Sequence, residues 1–220
     1  IELRIVASVA EDAGMMEAFH AGIDIHTATA AKVFGVDIAD VTKEQRYKAK
    51  SVNFGLIYGQ GAFGLSQNLG IKRGEAAELI EAYFAQFGGV KKYMDDSVKF
   101  CRENGFVKTI MGRKRFIPDI NSSNQTVVGF AERNAINAPI QGSAADMIKL
   151  AMINIHARLG KMKVGTKMLL QVHDELLFDV PKTELEEMTA VIKEEMERAM
   201  PLKVPVIAEA GHGDNWLEAH

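Results

Sequence analysis

The central feature of this chain is the stretch RYKAKSVNFGLIYG at residues 46–59. It carries four side chains at intervals of four residues: Arg46, Lys50, Phe54 and Tyr58. Residues four apart lie on one side of a helix, and the series drifts by only about 40° per step. One helix face therefore presents two cations, then an apolar ring, then a phenol. This order fits a molecule with phosphates at one end and a base at the other, and it predicts a nucleoside triphosphate site.

The two ends of this helix are also marked in the sequence. Thr42 and Gln45 form a capping-box pattern at the start, and glycines follow Tyr58 at the end. Basic residues crowd the first half, the positive end of the helix dipole, where they favour a bound anion. These residues are Lys43, Arg46, Lys48 and Lys50. The alternative reading is ordinary, with cations that face solvent and aromatic rings that face the core.

A second motif is the run MLLQVHDELLFDV at residues 168–180. Apolar strands flank His173, Asp174 and Glu175, which predicts a β-hairpin with its acids at or beside the turn. Adjacent carboxylates repel each other, and a cation offsets that repulsion. Mg²⁺ prefers a few carboxylates together with substrate phosphates. Neighbours on a strand point to opposite faces, so one of the two acids is the expected ligand. A solvated acidic turn is the alternative.

Together these motifs resemble those of the family A DNA polymerases of the bacterial DNA polymerase I type. The helix pattern R-x3-K-x3-F-x3-YG is similar to motif B, and QVHDE is similar to motif C. The opening IELRI resembles the end of motif A, usually written DYSQIELR. Four more segments are similar to family sequences: GIDIHTATA at 22–30, GRKRFIPD at 112–119, AERNAINAPIQGSAADMIK at 131–149 and the GHGDNW near the end. The resemblance therefore runs through the whole chain.

The resemblance implies template-directed DNA synthesis in replication and repair. A primer 3′-hydroxyl attacks the α-phosphate of a dNTP, pyrophosphate leaves, and two Mg²⁺ ions assist. It implies catalytic roles for Asp174, Glu175 and Lys50, with Asp174 as the metal ligand and Glu175 as a secondary acid. Two other classes of function stay open. One is a non-catalytic module that binds dNTP or DNA, and the other is a two-metal nuclease, which would need more converging carboxylates than the sequence offers.

The resemblance also implies which residues bind the dNTP. Arg46 and Lys50 would hold the β- and γ-phosphates, and Phe54 would pack against the sugar. Glu2 resembles the steric gate that blocks a ribose 2′-hydroxyl, a role that rests on the resemblance alone. The full set of expected dNTP contacts is Glu2, His26, Arg46, Lys50, Phe54 and Tyr58.

Further residues are expected to touch primer-template DNA. Arg133, Asn137 and Gln141 lie four apart and resemble the minor-groove and primer-side contacts of the family. Donors in the minor groove can check base-pair geometry without reading sequence. A plain polar helix face is the alternative for this trio. The remaining expected DNA contacts are Tyr58 at the templating position, Gly59 beside it, and His173 at the primer terminus or simply packed in its turn.

The chain begins directly after the place of DYSQ, whose aspartate is the other metal-binding carboxylate of the family. We therefore expect a truncated, cleaved or split product that is inactive alone, with the missing N-terminal part of the polymerase as a possible partner. The resemblance implies a bacterial cytoplasmic protein associated with the nucleoid. The sequence contains no run of about 18 apolar residues, the length that a membrane-spanning helix needs.

Composition divides the chain into parts of opposite charge. The whole has a net charge of −3, yet residues 43–115 hold 14 Lys and Arg against 7 Asp and Glu. The remainder holds 12 against 22. A basic segment joined to an acidic one fits a phosphate-contacting part attached to a metal-holding part, although ordinary fluctuation is the alternative. Cys101 is the single cysteine, which excludes an internal disulfide and a cysteine-based metal site.

The pattern of apolar residues predicts an α+β fold with a helical insertion between the strands of one sheet. The resemblance implies that these parts are a small antiparallel palm sheet flanked by helices and a mostly helical fingers insertion. We expect strands at residues 1–8 and 204–210 and hairpins at 106–117 and 168–180. Helices are expected at 24–34, 43–58, 74–87, 89–104, 124–137, from Ser143 to about 159, and from a Thr183–Glu186 capping box to near Pro201. The resemblance divides the chain into palm (1–20), fingers (21–130) and palm (131–220).

Overall fold

The structure, a computed structural model, describes residues 1–219 of the chain. These residues form two compact units. One unit is Glu2–Ser143, and the other is Ile1 together with Ala144–His220, whose last residue lies outside the described part. The predicted α+β class is confirmed, because helices dominate and the strands form two small antiparallel pairs.

The unit Glu2–Ser143 is mainly helical. Its helices are α1 (Glu2–Ala10), α2 (Ala13–His20), α3 (Ile25–Phe34), α4 (Lys43–Ile57), α5 (Ala62–Leu69), α6 (Arg73–Gln86), α7 (Gly88–Asn104) and the first part of α8 (Gln125–Met162). Short 3-10 turns lie at Ile38–Asp40 and Pro118–Asn121. Strands β1 (Phe106–Lys108) and β2 (Lys114–Phe116) pair antiparallel, which confirms the predicted hairpin. The sequence analysis did not predict α2 or α5.

Helix α4 begins where the sequence predicts. The side chain of Thr42 accepts a hydrogen bond from the Gln45 amide at 3.2 Å, and the Gln45 side chain accepts one from the Thr42 amide at 2.9 Å. This capping box satisfies amides that the first helical turn leaves without partners. The apolar side of α4 is buried against α3, and the neighbouring side, which carries Arg46, Lys50, Phe54 and Tyr58, is exposed or half-buried.

The second unit contains the rest of α8, the hairpin of β3 (Lys167–Val172) and β4 (Glu175–Asp179), and helices α9 (Leu185–Glu197) and α10 (Trp216–Ala219). The predicted acid-bearing hairpin is confirmed, with Val172 paired to Glu175. A small core lies between α8 and α9, and apolar residues of β4 pack on it. Its fully buried members include Ile155 and Met188.

The predicted strand at residues 1–8 is wrong, because these residues belong to helix α1. Leu3, Val6 and Ala7 are all buried. Their spacing of three and four residues fits the helical period, while the local alternation also fits a strand. Burial of the helical stripe decides between the two, so strands do not cluster at both ends of the chain as expected.

The predicted helix break before Pro139 is also wrong, since α8 runs through this residue. Proline removes one helical hydrogen bond, but neighbours such as Ala135 and Ile140 are fully buried and hold the helix together. Ser143 therefore does not cap a new helix. Its hydroxyl donates to the Pro139 carbonyl at 2.6 Å and accepts from the Ile110 amide at 2.9 Å.

Two predictions near the C-terminus are wrong as well. A 3-10 turn occupies Lys182–Glu184 in place of the Thr183–Glu186 capping box, and α9 starts at Leu185. The Glu184 carboxylate instead accepts hydrogen bonds from the backbone amides of Gly165 and Thr166.

Within the described residues, 204–210 form no strand. Pro205 interrupts this stretch and cannot donate to a ladder. No helix among residues 1–219 is long and apolar enough to cross a membrane.

Candidate functional site

The α4 face, defined as Arg46, Lys50, Phe54 and Tyr58, lies beside an open cavity of about 720 Å³. The last three of these residues line the cavity directly. The turn after α4, helix α5 and helix α8 supply the other walls, which include Gln60, Asn68 and Arg133. The cavity therefore combines a lysine ammonium, an arginine and three aromatic rings, those of Tyr47, Phe54 and Tyr58.

The aromatic rings of the α4 face are stacked along the helix. The Phe54 and Tyr58 rings lie 6.4 Å apart between centroids and are nearly parallel, at 15°. The His26 ring, from α3, lies 5.6 Å from Phe54 and is tilted by 50°. Helix packing thus brings His26 of α3, which was expected among the dNTP contacts, against the aromatic part of the α4 face.

Arg46 is held by an acid of the same unit. Its Nε and Nη2 atoms donate to the two carboxylate oxygens of Asp24, each at 3.0 Å. Asp24 also caps α3 by accepting from the Thr27 amide at 2.8 Å. Burial acts to raise the pKa of Asp24, but the hydrogen bonds from Arg46 and Thr27 outweigh it and lower the pKa to about 2. The guanidinium is thereby fixed in a bidentate pair.

Lys50 is exposed and has no ion-pair partner among the residues that the structure describes. The two cations of the α4 face therefore differ. Arg46 already has a counter-ion, whereas Lys50 offers an uncompensated ammonium to the cavity. An incoming anion gains more from such a charge than from one that is already paired.

A buried polar network supports the His26 ring. Asn53 of α4 is fully buried, and its Nδ2 lies 3.0 Å from the Thr29 hydroxyl and 3.1 Å from Nδ1 of His26. Burial lowers the pKa of His26, and the charges of Arg46 and Lys50 act in the same direction. The sequence analysis missed Asn53. An asparagine on the apolar side of a helix, where it is a poor helix former, was the available signal.

Tyr58 is hydrogen-bonded to Glu2, the first residue of α1. The phenol donates a hydrogen bond to Oε2 of the Glu2 carboxylate. Burial, and then the bond to Glu2, raise the pKa of Tyr58 to about 12. The Gln141 side chain also bonds the phenol. The structure thus brings together Glu2, Tyr58 and Gln141, three residues that the sequence analysis singled out in separate motifs.

Gly59 has a left-handed backbone, with φ of +73°. A Cβ atom built on Gly59 would lie 2.6 Å from Cγ of Arg133. The arginine side chain therefore packs directly on the turn that ends α4. Asn137 follows Arg133 by one helical turn, and its Oδ1 is buried without a hydrogen-bond partner among the described residues.

The acidic turn, defined as residues 173–175, belongs to the other unit. His173 has a left-handed backbone with φ of +54°, and its carbonyl accepts a hydrogen bond from Gln171 at 2.9 Å. Asp174 lies in the turn, while Glu175 is the first residue of β4. All three side chains are exposed. The two acids therefore occupy different backbone positions, one in the turn and one on the strand.

No group of three or more His, Cys, Asp or Glu side chains within residues 1–219 is arranged to hold a metal ion. The acidic turn offers two neighbouring carboxylates. That donor set fits Mg²⁺, which binds through one or two carboxylates and takes its remaining ligands from water and substrate phosphates.

A family model described as DNA polymerase family A matches residues 1–218. The chain belongs to DNA polymerase family A. Among its relatives, DNA polymerase I of Caldicellulosiruptor bescii is 52% identical over 218 residues, which are 99% of this chain and 26% of that protein. DNA polymerase I of Geobacillus stearothermophilus is 50% identical over 219 residues, which are 100% of this chain to the nearest per cent and 25% of that protein. The chain thus spans about a quarter of the length of the curated relatives it matches.

The fold of this family A chain also matches a solved structure. The POL domain of Pol1 from M. smegmatis, in complex with DNA primer-template and dNTP, superposes with a TM-score of 0.96 and 46% identity. The match covers all of this chain and 39% of that one. The resemblance proposed from sequence motifs is therefore confirmed, and the α4 face and the acidic turn are features of a family A polymerase chain.

Proposed function

We propose that this chain forms the fingers and part of the palm of a polymerase that adds dNTPs to a primer 3′ end on template DNA. The observation that carries the proposal is the α4 face, where an uncompensated lysine, two stacked rings and an open cavity are arranged as a triphosphate and a nucleoside require. We assign residues 1–20 and 131–220 to the palm and 21–130 to the fingers. The proposed setting is the bacterial cytoplasm, where the nucleoid is.

Lys50 and Arg46 would hold the triphosphate. Lys50 is a compact charge that can follow the phosphates, and Arg46 can form two parallel hydrogen bonds. Arg46 is bound to Asp24 at 3.0 Å, so it must share or exchange that partner when a phosphate arrives. We therefore expect Lys50 to contribute more to the first binding step than Arg46.

Phe54 and the Glu2–Tyr58 pair would select the sugar. Phe54 offers a flat apolar surface between the phosphate end and the base end of the face. The Tyr58 phenol fixes the Glu2 carboxylate in one position. A carboxylate held in this way would leave no room for an additional ribose hydroxyl.

Primer-template DNA would lie along Arg133, Asn137 and Gln141. These side chains lie on one face of α8, and Gln141 reaches Tyr58. The Asn137 oxygen is buried and has no partner within residues 1–219, which is costly unless a ligand supplies a donor to it. Gly59 lets Arg133 approach the turn at the end of α4. His173 would contact the primer terminus from the acidic turn.

Asp174 would bind Mg²⁺, with Glu175 as a second acid at its side. Bound Mg²⁺ ions stabilise the attacking and leaving oxygens of phosphoryl transfer. The two carboxylates of this chain would position that charge. Two ions need more acidic ligands than this turn supplies, so we expect the chain alone to bind dNTP without extending a primer.

Primer extension tests the proposal and separates it from the alternatives. A labelled primer-template is incubated with Mg²⁺ and all four dNTPs, with this chain alone and with the polypeptide that corresponds to the rest of a full-length relative. We expect extension only in the second mixture, and loss of it with Asp174→Ala. Nucleotide binding without extension in either mixture would favour a non-catalytic module. Shortening of the primer without dNTPs would favour a nuclease.

A further inference from the structure

The buried contact between Asn53 and His26 has a chemical consequence for the histidine. A neutral imidazole carries one ring hydrogen, and the partner of one nitrogen decides which nitrogen holds it. Nδ1 of His26 lies 3.1 Å from Nδ2 of Asn53, an amide nitrogen that can only donate. Nδ1 is then the acceptor, and the hydrogen is on Nε2.

Thr29 contacts the Asn53 amide beside His26. The Thr29 hydroxyl lies 2.8 Å from the Ile25 carbonyl oxygen, one helical turn back, and 3.2 Å from Oδ1 of Asn53, both of which accept hydrogen bonds. The Thr29 oxygen itself accepts from Nδ2 of Asn53 at 3.0 Å. Both hydrogens of the amide are thus used, one by Thr29 and one by His26.

We propose that Asn53 is a positioning residue that holds the His26 ring in the Nε2–H tautomer, so that His26 donates a hydrogen bond to the bound triphosphate beside Lys50. The triphosphate part of this inference rests on the proposed function. Asn53 touches no ligand and acts through His26. Asn53 is fully buried and belongs to the same helix as Lys50. The packing of α4 therefore fixes the orientation of the His26 ring relative to Lys50.

His20 offers an internal contrast in the same chain. Its Nδ1 lies 2.8 Å from the Met16 carbonyl oxygen, which can only accept. His20 must therefore carry its hydrogen on Nδ1, the opposite tautomer. Its ring lies outside the cavity lining, so it serves as a reference for the measurement.

The ring tautomers are measured first, on ¹⁵N-histidine-labelled chain without ligand. Long-range ¹H–¹⁵N spectra are recorded at about pH 8, above the usual range of histidine pKa values, and distinguish a nitrogen that carries hydrogen from one that does not. We expect hydrogen on Nε2 of His26 and on Nδ1 of His20. In Asn53→Asp, whose carboxylate accepts, the hydrogen of His26 should move to Nδ1 while His20 is unchanged. Hydrogen on Nδ1 of His26 in the unaltered chain would overturn the proposal, and this result requires no variant to fold.

Binding of dATP with Mg²⁺ is then followed by titration calorimetry in a double-mutant cycle. Loss of one charge-assisted hydrogen bond should weaken binding about tenfold in Asn53→Ala and in His26→Ala. Because Asn53 acts through His26, the double variant should bind no more weakly than His26→Ala alone. A further tenfold loss in the double variant would mean that Asn53 affects binding by a route other than His26, and would contradict the proposal.

The two parts of the experiment fail separately. If the unaltered chain binds no dATP, the proposed function is wrong, whereas the tautomer measurement still decides what Asn53 does to His26. If dATP binds but the His26 ring nitrogens do not shift on titration, His26 does not contact the triphosphate and the positioning role has no ligand to serve. Thermal unfolding of Asn53→Ala by circular dichroism establishes that the variant is folded before binding is compared.

Discussion

The α4 face and the acidic turn differ in how their side chains are held. On the α4 face, Arg46 is paired with Asp24, and Tyr58 is bonded to Glu2. In the acidic turn, the carboxylates of Asp174 and Glu175 are exposed. Within residues 1–219, no third His, Cys, Asp or Glu side chain lies close enough to complete a metal site with them. The first region is organised before any ligand arrives. The second presents two exposed acids at a turn.

This difference reflects the chemistry that each region is proposed to serve. Recognition of a nucleotide rewards preorganisation, because side-chain ordering is completed during folding and is not repeated at each binding event. A Mg²⁺ site shared with substrate phosphates needs open coordination positions, and therefore exposed carboxylates. The predictions below test whether the contrast holds, in order of decreasing expected effect.

The largest effect is expected at Asp174. In any preparation that extends a primer, Asp174→Ala should slow single-turnover incorporation by about 10³-fold or more, because a metal contributes several kcal/mol of charge stabilisation. Asp179→Ala is the matched control, since Asp179 is exposed at the far end of β4, opposite Lys167. Equal rates for the two variants would show that Asp174 does not bind the catalytic metal.

The next effect concerns the uncompensated lysine. Lys50→Ala should weaken dNTP binding about 10- to 100-fold, since hydrogen bonds to charged groups contribute about 1.5–3 kcal/mol. Lys48→Ala is the control on the same helix, because Lys48 is already paired with Glu44 at 3.0 Å. Titration calorimetry with each variant checks this. A similar loss in both would show that general helix charge, and no specific contact, attracts the nucleotide.

Substitutions at the two left-handed backbone positions, Gly59 and His173, should change the free energy of unfolding in different ways. Gly59→Ala places a side chain at φ of +73° and against Arg133, and should lower the free energy of unfolding by about 2 kcal/mol. His173→Gly relieves a left-handed backbone in an exposed turn, so it should leave stability unchanged or raise it by up to about 1 kcal/mol. Urea unfolding of both variants measures the difference. A destabilised His173→Gly chain would mean that the turn is packed more tightly than its exposure indicates.

The smallest effect is expected from pH. The pKa of Asp24 is lowered to about 2 in the folded chain, so its stabilisation is complete above about pH 4 and is lost as the pH falls towards 2. The carboxylate is 44% exposed, which limits the contribution to roughly 1 kcal/mol or less. Urea unfolding between these pH values should show a loss in the unaltered chain that Asp24→Asn lacks. Parallel pH profiles for the two would contradict it.

The sequence predicted those parts of the molecule that depend on local periodicity. The α4 helix, its capping box and the β3–β4 hairpin are confirmed because each is encoded within about 15 adjacent residues. The strand at residues 1–8 failed because two periods fitted the same short stretch. Pro139 failed as a helix end because burial of its neighbours outweighed the local preference.

The partners of the site could not be predicted in the same way. Asp24 and Arg46 are 22 residues apart, and His26 and Asn53 are 27 apart. Both contacts exist only because α3 packs on α4, and no local pattern reports a contact of that range. The sequence could identify which residues are chemically suited to a nucleotide. Packing decides which of them are already paired and which are left for a ligand.

The hydrogen bond between Tyr58 and Glu2 joins residues 56 positions apart, one proposed to lie at the templating base and the other at the sugar. By thermodynamic linkage, whatever displaces the phenol must also release the carboxylate, and a sugar that displaces the carboxylate must disturb the phenol. Selection of the base and selection of the sugar would then depend on the same equilibrium, the making and breaking of the Tyr58–Glu2 hydrogen bond. A nucleotide that is wrong in both respects should be rejected by a free energy different from the sum of the two separate penalties.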